Sequence, residues 1–159
     1  RIGWWLRSQK QVDHIRRRRH NPQYLSSVYF NTDLLYLSTK VEEVLAGADT
    51  VVVCVPSSYL PETFGHLSPN VFEGKRVVSA IKGVLPAENF PLLNEYLHRH
   101  FNLPVSRYFT IMGPCHAEEV ANEKLSYLTF SGEDEPAAAQ IAAHFQTDYL
   151  KTVVNHDIW

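Results

Sequence analysis

Apolar runs in this chain alternate with amphipathic stretches almost from end to end. Ile2-Gly3-Trp4-Trp5-Leu6 reads as a strand, and a polar helix follows over 8–20 with Val12 and Ile15 as its apolar contacts. Asn21-Pro22 is the expected stop, because the residue before a proline disfavours the α region. Short extended pieces are predicted around Val28–Phe30 and Leu35–Leu37. Thr39 is placed to cap a helix over Val41–Ala46, with Glu42 and Glu43 in its first turn and Gly47 just past its end. Thr50–Val55 is the clearest strand. It is β-branched, continuous and apolar, as a strand buried on both faces of a parallel sheet should be. Pro56-Ser57-Ser58 ends it and opens a helix over 58–67. The unit then repeats: strand 76–81, helix 90–101, strand 108–112, short helix 116–122, strand 125–131, helix 136–145 and strand 149–154. Alternation of this kind predicts an α/β fold with a parallel sheet and right-handed crossovers.

Composition narrows the class. The 159 residues carry a formal net charge of -2, with 45% hydrophobic and 20% charged positions, which suits one compact soluble domain. No apolar run reaches bilayer length, and the first residues lack the zones of a secretory signal, so neither membrane insertion nor export is expected. Cys54 and Cys115 form no CxxC spacing, and the eight histidines lack metal-ligand spacing. No disulfide framework or metal site is therefore predicted, and a cytoplasmic location is the default. Arg1 is not a start methionine, and the chain stops on Ile158-Trp159 without a polar tail. A fragment lacking material at both ends is the expectation.

Candidate chemistry sits at predicted strand ends, where open α/β sheets bind ligands. Lys82 follows the strand 76–81 and precedes Gly83; it is either a surface lysine or a cation aimed at an anion. Gly113-Pro114-Cys115-His116-Ala117 turns from the strand 108–112 toward a helix start, whose free amides favour phosphate or another anion. Val55-Pro56-Ser57-Ser58 is either an ordinary strand-to-helix turn or the margin of a cofactor cleft. Arg7, with Ser8 and Lys10 beside it, ends the first strand. It is either a solvated strand end or, in a dinucleotide fold, the residue type that suits the 2′-phosphate of NADP. The run Arg16-Arg17-Arg18-Arg19 is spread around a helix axis and lies in a last turn, where the dipole favours cations. Without interleaved aromatics it does not predict nucleic-acid binding.

Ser79-Ala80-Ile81-Lys82-Gly83-Val84 and Gly113-Pro114-Cys115-His116-Ala117-Glu118-Glu119-Val120-Ala121 together resemble the bacterial, soluble type of NAD(P)-dependent glycerol-3-phosphate dehydrogenase. Gln11-Val12-Asp13-His14-Ile15, Asn21-Pro22-Gln23-Tyr24-Leu25 and Ala46-Gly47-Ala48-Asp49 before Val55-Pro56-Ser57 are similar to that family too, in collinear order. The resemblance implies a Rossmann-like, doubly wound and mostly parallel sheet with helices on both faces. Residues 1–159 would be a partial dinucleotide-binding domain lacking the first strand and glycine-rich loop, with the helical C-terminal domain absent. It further implies interconversion of dihydroxyacetone phosphate and sn-glycerol 3-phosphate with NADP or NAD, in glycerophospholipid synthesis.

The same resemblance assigns Lys82, Gly113 and Cys115 to the substrate. It assigns Arg7, Ser8, Tyr24, Pro56, Lys82 and Ala117 to the cofactor, and a homodimer is possible. No catalytic residue lies in the segment, since the proton-donor lysine belongs to the missing domain; the segment alone is expected to be inactive. Cys115 stands where the family often has serine or threonine, and His116 where an aromatic is common. The rival expectations are another two-domain hydroxy-acid dehydrogenase and a non-catalytic nucleotide-binding module.

Overall fold

The computed structural model describes residues 1–25, 27–87 and 89–158. Contacts divide the chain into two units, Arg1–Ala48 and Asp49–Trp159.

The first unit holds β1 (Ile2–Trp5), α1 (Gln9–Arg18), β2 (Leu35–Ser38) and α2 (Val41–Ala46). β1 and β2 are parallel, with Ile2 opposite Leu35 and Trp5 opposite Ser38. Ser8 starts α1: its Oγ accepts a hydrogen bond from the Gln11 amide at 3.3 Å. Val12 and Ile15 are buried against Leu6 and Leu37, with Trp4, Phe30 and Leu35 around them. That apolar stripe holds an otherwise polar helix, as tertiary packing does for most helices of this length. Replacing Ser8 with alanine removes the cap and is expected to cost about 1 kcal/mol, and glycine only a few tenths. Urea melts of the two variants check the difference.

Helix α1 stops before the expected proline boundary. Arg19 takes the left-handed conformation (φ 61), and its amide closes on the Ile15 carbonyl at 2.8 Å. Asn21 then organises the turn, its Oδ1 accepting from the Gln23 and Tyr24 amides at 2.9 and 3.1 Å. Residues 28–30 form no strand. Lys40 rather than Thr39 precedes α2, without a side-chain cap. The local polar bonds converge instead on Glu43, which pairs with Lys40 and accepts from Tyr36 Oη and Ser38 Oγ.

The second unit holds β3 (Thr50–Val53), α3 (Leu60–Phe64), β4 (Arg76–Ser79), α4 (Leu93–Phe101), β5 (Tyr108–Met112), α5 (Ala117–Ala121), β6 (Ser126–Ser131), α6 (Glu135–Ala143) and β7 (Leu150–Asn155). Its sheet has the order β3-β4-β5-β6-β7. All neighbours run parallel except β5 and β6, which are antiparallel. The sheet is therefore mostly parallel, and the strictly parallel reading of the strand–helix alternation is corrected at β6.

Val78, Phe109 and Phe130 pack with Ala138, Ile141 and Ala142 of α6 in one core. Val77 and Tyr108, which alternate with Val78 and Phe109 along their strands, are buried as well, so β4 and β5 are covered on both faces. The expectation of two-sided burial for β3 fails: Val52 is 41% exposed. β3 is an edge strand of this sheet, so within it a strand neighbours β3 on one side only. Rings of Phe64, Phe72 and Phe101 form a second packing centre, with centroids 5.2–6.1 Å apart. The helix expected over 58–67 is a 3₁₀ turn, Ser57–Tyr59, leading into the short α3.

Candidate functional site

The register of the second sheet brings three of the candidate junctions to one rim. Val53 lies opposite Ser79 in the β3–β4 pair, and Ser79 opposite Thr110 in the β4–β5 pair. Pro56, Lys82 and Gly113 each stand three residues beyond that line, on strands that point the same way. The Ala80 amide still bonds the Val53 carbonyl at 2.9 Å, so the junctions leave the sheet side by side. β6 runs the other way and begins at this rim, and β7, parallel to it, does likewise.

Lys82 is held by its backbone rather than by its side chain. The Ile81 amide donates to Ser79 Oγ at 3.2 Å, and Gly83 takes φ 80 with no atom within 4 Å of where a Cβ would sit. Gly83 is thus needed for its conformation. The buried Leu85 anchors the far side, its amide donating to the Pro91 carbonyl at 2.9 Å. Lys82 itself is exposed, and among the described residues nothing pairs with its ammonium.

Gly113 is a glycine for the opposite reason. Its φ is not in the left-handed range, but a Cβ would lie 2.5 Å from the Tyr127 carbonyl oxygen and 2.9 Å from Leu128 Cδ2. The sequence suggested close approach of a ligand there; the structure shows close approach of β6. Cys115 is half-buried and Ala117 exposed. α5 has only five residues, with Glu118 and Glu119 in its first turn and no side-chain cap from His116. Its N-terminus is a weaker anion site than the sequence suggested, because few peptide dipoles add up and two carboxylates already face them.

Arg7 and Ser8 belong to the first unit. They line an open depression of about 550 Å³ together with Lys10, Gln11, His14 and Gln23. No carboxylate is among its described lining residues. Tyr24 is 71% exposed and not on the wall, although the Asn21 turn that fixes it also fixes Gln23. Gln11, His14 and Gln23 were not among the site residues expected from the sequence. For His14 the signal was its spacing four residues after Lys10, which puts both on one face of α1. Its Nε2 is buried without a hydrogen-bond partner. Desolvation, with the charges of His20, Arg18 and Arg17, holds its pKa below the ordinary histidine value. The arginine run divides as expected of a helix: Arg16 turns to the Leu37 carbonyl, whereas Arg17 and Arg18 line a second depression.

Cys54 and Cys115 are both free; Cys54 keeps an exposed surface, and partial desolvation raises the pKa of its thiol. Among the described residues no three His, Cys, Asp or Glu side chains are grouped as metal ligands, and no helix is long and apolar enough to cross a membrane.

Comparison with known proteins bears on family and fold. The family described as "NAD-dependent glycerol-3-phosphate dehydrogenase N-terminus" matches residues 1–138. A glycerol-3-phosphate dehydrogenase (NAD(P)+) 1 of Salinibacter ruber is 32% identical over 157 residues, spanning 97% of this chain and 45% of that protein. A counterpart from Chlorobium chlorochromatii is 29% identical, spanning 99% of this chain and 47% of that protein. The chain thus spans less than half the length of these curated relatives. In fold, it superimposes on glycerol-3-phosphate dehydrogenase of Coxiella burnetii with a TM-score of 0.86 at 19% identity, over 99% of this chain and 47% of that one. The Plasmodium falciparum enzyme gives 0.82 at 23% identity, over 96% and 43%.

Proposed function

Since the chain belongs to the NAD-dependent glycerol-3-phosphate dehydrogenase N-terminal family, we propose that it is the cofactor-binding part of an enzyme interconverting dihydroxyacetone phosphate and sn-glycerol 3-phosphate. The observation that supports this best is the common rim: Pro56, Lys82 and Gly113 leave three adjacent parallel strands at one level. Ligands of open α/β sheets bind at such strand ends.

The residues present fit the anionic end of a dinucleotide. Arg7 and Lys10 supply cations, and Ser8 and Gln11 supply donors, around one depression without a lining carboxylate. Arg7 favours NADP over NAD, although either fits the family. When bound, the cofactor supplies the hydride chemistry.

The chain's own residues bind and orient. Lys82 holds the substrate oxygens with its unpaired ammonium and stabilises the negative charge that develops on the C2 oxygen. The backbone at Gly113 and Cys115 positions the phosphorylated substrate. A thiol is a weaker hydrogen-bonding group than a hydroxyl, so the Cys115 contact relies on the backbone. Pro56 and Ala117 border the cofactor, and Tyr24 contributes to the nucleotide side. The proton that completes the alcohol comes from a lysine outside these residues.

The test is reduction of dihydroxyacetone phosphate by the complete protein, followed as loss of reduced-nicotinamide absorbance. Turnover of that ketone, and none of pyruvate or other keto acids, is the expected result. Reduction of a keto acid alone would replace the reading with that of a hydroxy-acid dehydrogenase.

A further inference from the structure

Strands β5, β6 and β7 present two unlike faces. Successive residues of a strand point to opposite sides, and directly opposed residues of neighbouring strands share a side. On one side Phe109 and Phe130, with Ile111, Leu128 and Val154, pack against α6. The other side changes character along the strands. Tyr108 and Ser131 on it are buried, whereas Met112, Tyr127 and Val153 are 41%, 51% and 49% exposed. The register gathers these three: Met112 lies opposite Thr129, Thr129 opposite Val153, and Tyr127 two residues before Thr129. Leu125, just before β6, is exposed as well.

Lys151, opposite Tyr127, is the one charged residue on this side of the three strands, and its ammonium turns to the Thr147 carbonyl at 3.4 Å. Scattered exposed apolar side chains are ordinary, but a contiguous group of them indicates an interaction surface. Parallel strands are ordinarily covered on both faces. An apolar patch of this kind suits a permanently attached cover better than a transient partner, whose interfaces are more polar. Two observations identify the cover. The matching family is described as an N-terminus, and the chain spans only 45% and 47% of two curated relatives, so more than half of their length has no counterpart here. The patch also adjoins the rim of the candidate site: Met112 precedes Gly113, and a Cβ on Gly113 would lie 2.5 Å from the Tyr127 carbonyl oxygen.

We propose that Met112, Tyr127 and Val153 seat the C-terminal part of the complete protein, and that this apolar contact brings its proton donor to the rim. The inference rests on the functional reading above for the place of the substrate and adds the surface that closes over it. An element seated on Met112 and Tyr127 borders the turn that carries Gly113 and Cys115. Its docking therefore fixes where a donor stands relative to the substrate, and a small displacement there is costly to the reaction.

The experiment irradiates the complete protein carrying Tyr127→p-benzoylphenylalanine and maps the adduct by peptide mass spectrometry. The expected product has monomer mass and joins position 127 to a peptide C-terminal to residue 159. An adduct of dimer mass would give the face to a second copy, and no adduct would leave it to solvent; either result overturns the proposal. Val153→Asp then places a charge in the contact. It is expected to lower kcat/KM for dihydroxyacetone phosphate by about 10–10²-fold, while NADPH binding, followed by nicotinamide fluorescence, changes by less than about threefold. Val153→Ala removes volume without adding charge and should cost kcat/KM less than about threefold. Melting temperature reports whether each variant folds. A folded Val153→Asp enzyme as active as the parent would also overturn the assignment. The crosslink is read without substrate, which keeps the two readings apart. A monomer-mass adduct in a protein that does not reduce dihydroxyacetone phosphate sinks the functional reading and leaves the seat in place; an active enzyme without that adduct does the reverse.

Discussion

Replacing Lys82 with alanine in the complete protein is expected to lower kcat/KM for dihydroxyacetone phosphate by about 10²–10³-fold, the usual effect of losing one preorganised electrostatic contact to a developing oxyanion. The fold should not suffer. Lys82 is exposed and its ammonium has no partner among the described residues, so no packing or ion pair is lost. Its loop is held by the Ile81–Ser79 and Leu85–Pro91 hydrogen bonds, which the substitution leaves in place. A stability change within about 0.5 kcal/mol is therefore expected, as for other surface substitutions. Lys82→Arg should recover part of the activity by restoring the charge, and not all of it, because a planar guanidinium cannot take the position of a compact ammonium. Steady-state kinetics beside a thermal melt separate these outcomes. A Lys82→Ala enzyme within about threefold of the parent would remove this residue from the site, since losing a transition-state contact costs far more.

Gly113→Ala is expected to impair stability and activity together. The added Cβ would lie 2.5 Å from the Tyr127 carbonyl oxygen and 2.9 Å from Leu128 Cδ2. A side chain such as Leu128 can move by a rotamer change, but the Tyr127 oxygen is backbone at the start of β6. Relief requires the β5 and β6 strands to separate where Met112 faces Thr129. Overpacking of this kind costs about 1–3 kcal/mol. The same displacement moves the turn that carries Cys115 and Ala117, so KM for the phosphorylated substrate should rise. Leu128→Ala in the Gly113→Ala background discriminates the causes. If the backbone oxygen is the obstacle, trimming Leu128 will not restore the melting temperature. Full recovery would show that the side chain alone was responsible. Unchanged stability and kinetics in Gly113→Ala would mean that β6 does not exclude a side chain at this position.

Much of the local architecture was legible without coordinates. The strands expected at 50–55, 76–81 and 108–112 are found at 50–53, 76–79 and 108–112, and α2 covers the expected Val41–Ala46. The signals there are short-range: side-chain branching, apolar period, and acidic residues in a first turn. Family membership was legible for a related reason, since it rests on short collinear strings such as Ile81-Lys82-Gly83 and Gly113-Pro114-Cys115. The end of α1 was misread because Arg19 adopts a left-handed conformation that proline spacing does not report.

What the chain's letters determined by themselves is therefore the order of strands and helices, the family, and the cationic or glycine identity of the candidate positions. Folding alone decided that β6 runs antiparallel, that β3 is an edge, and that Pro56, Lys82 and Gly113 share one level of the sheet. It also decided that Gly113 makes room for a neighbouring strand, and that His14 reaches the depression beside Arg7. The division has a physical cause. Branching and periodicity act between residues a few places apart, whereas strand register and close backbone approach arise between residues far apart in sequence, where no local preference specifies the partner.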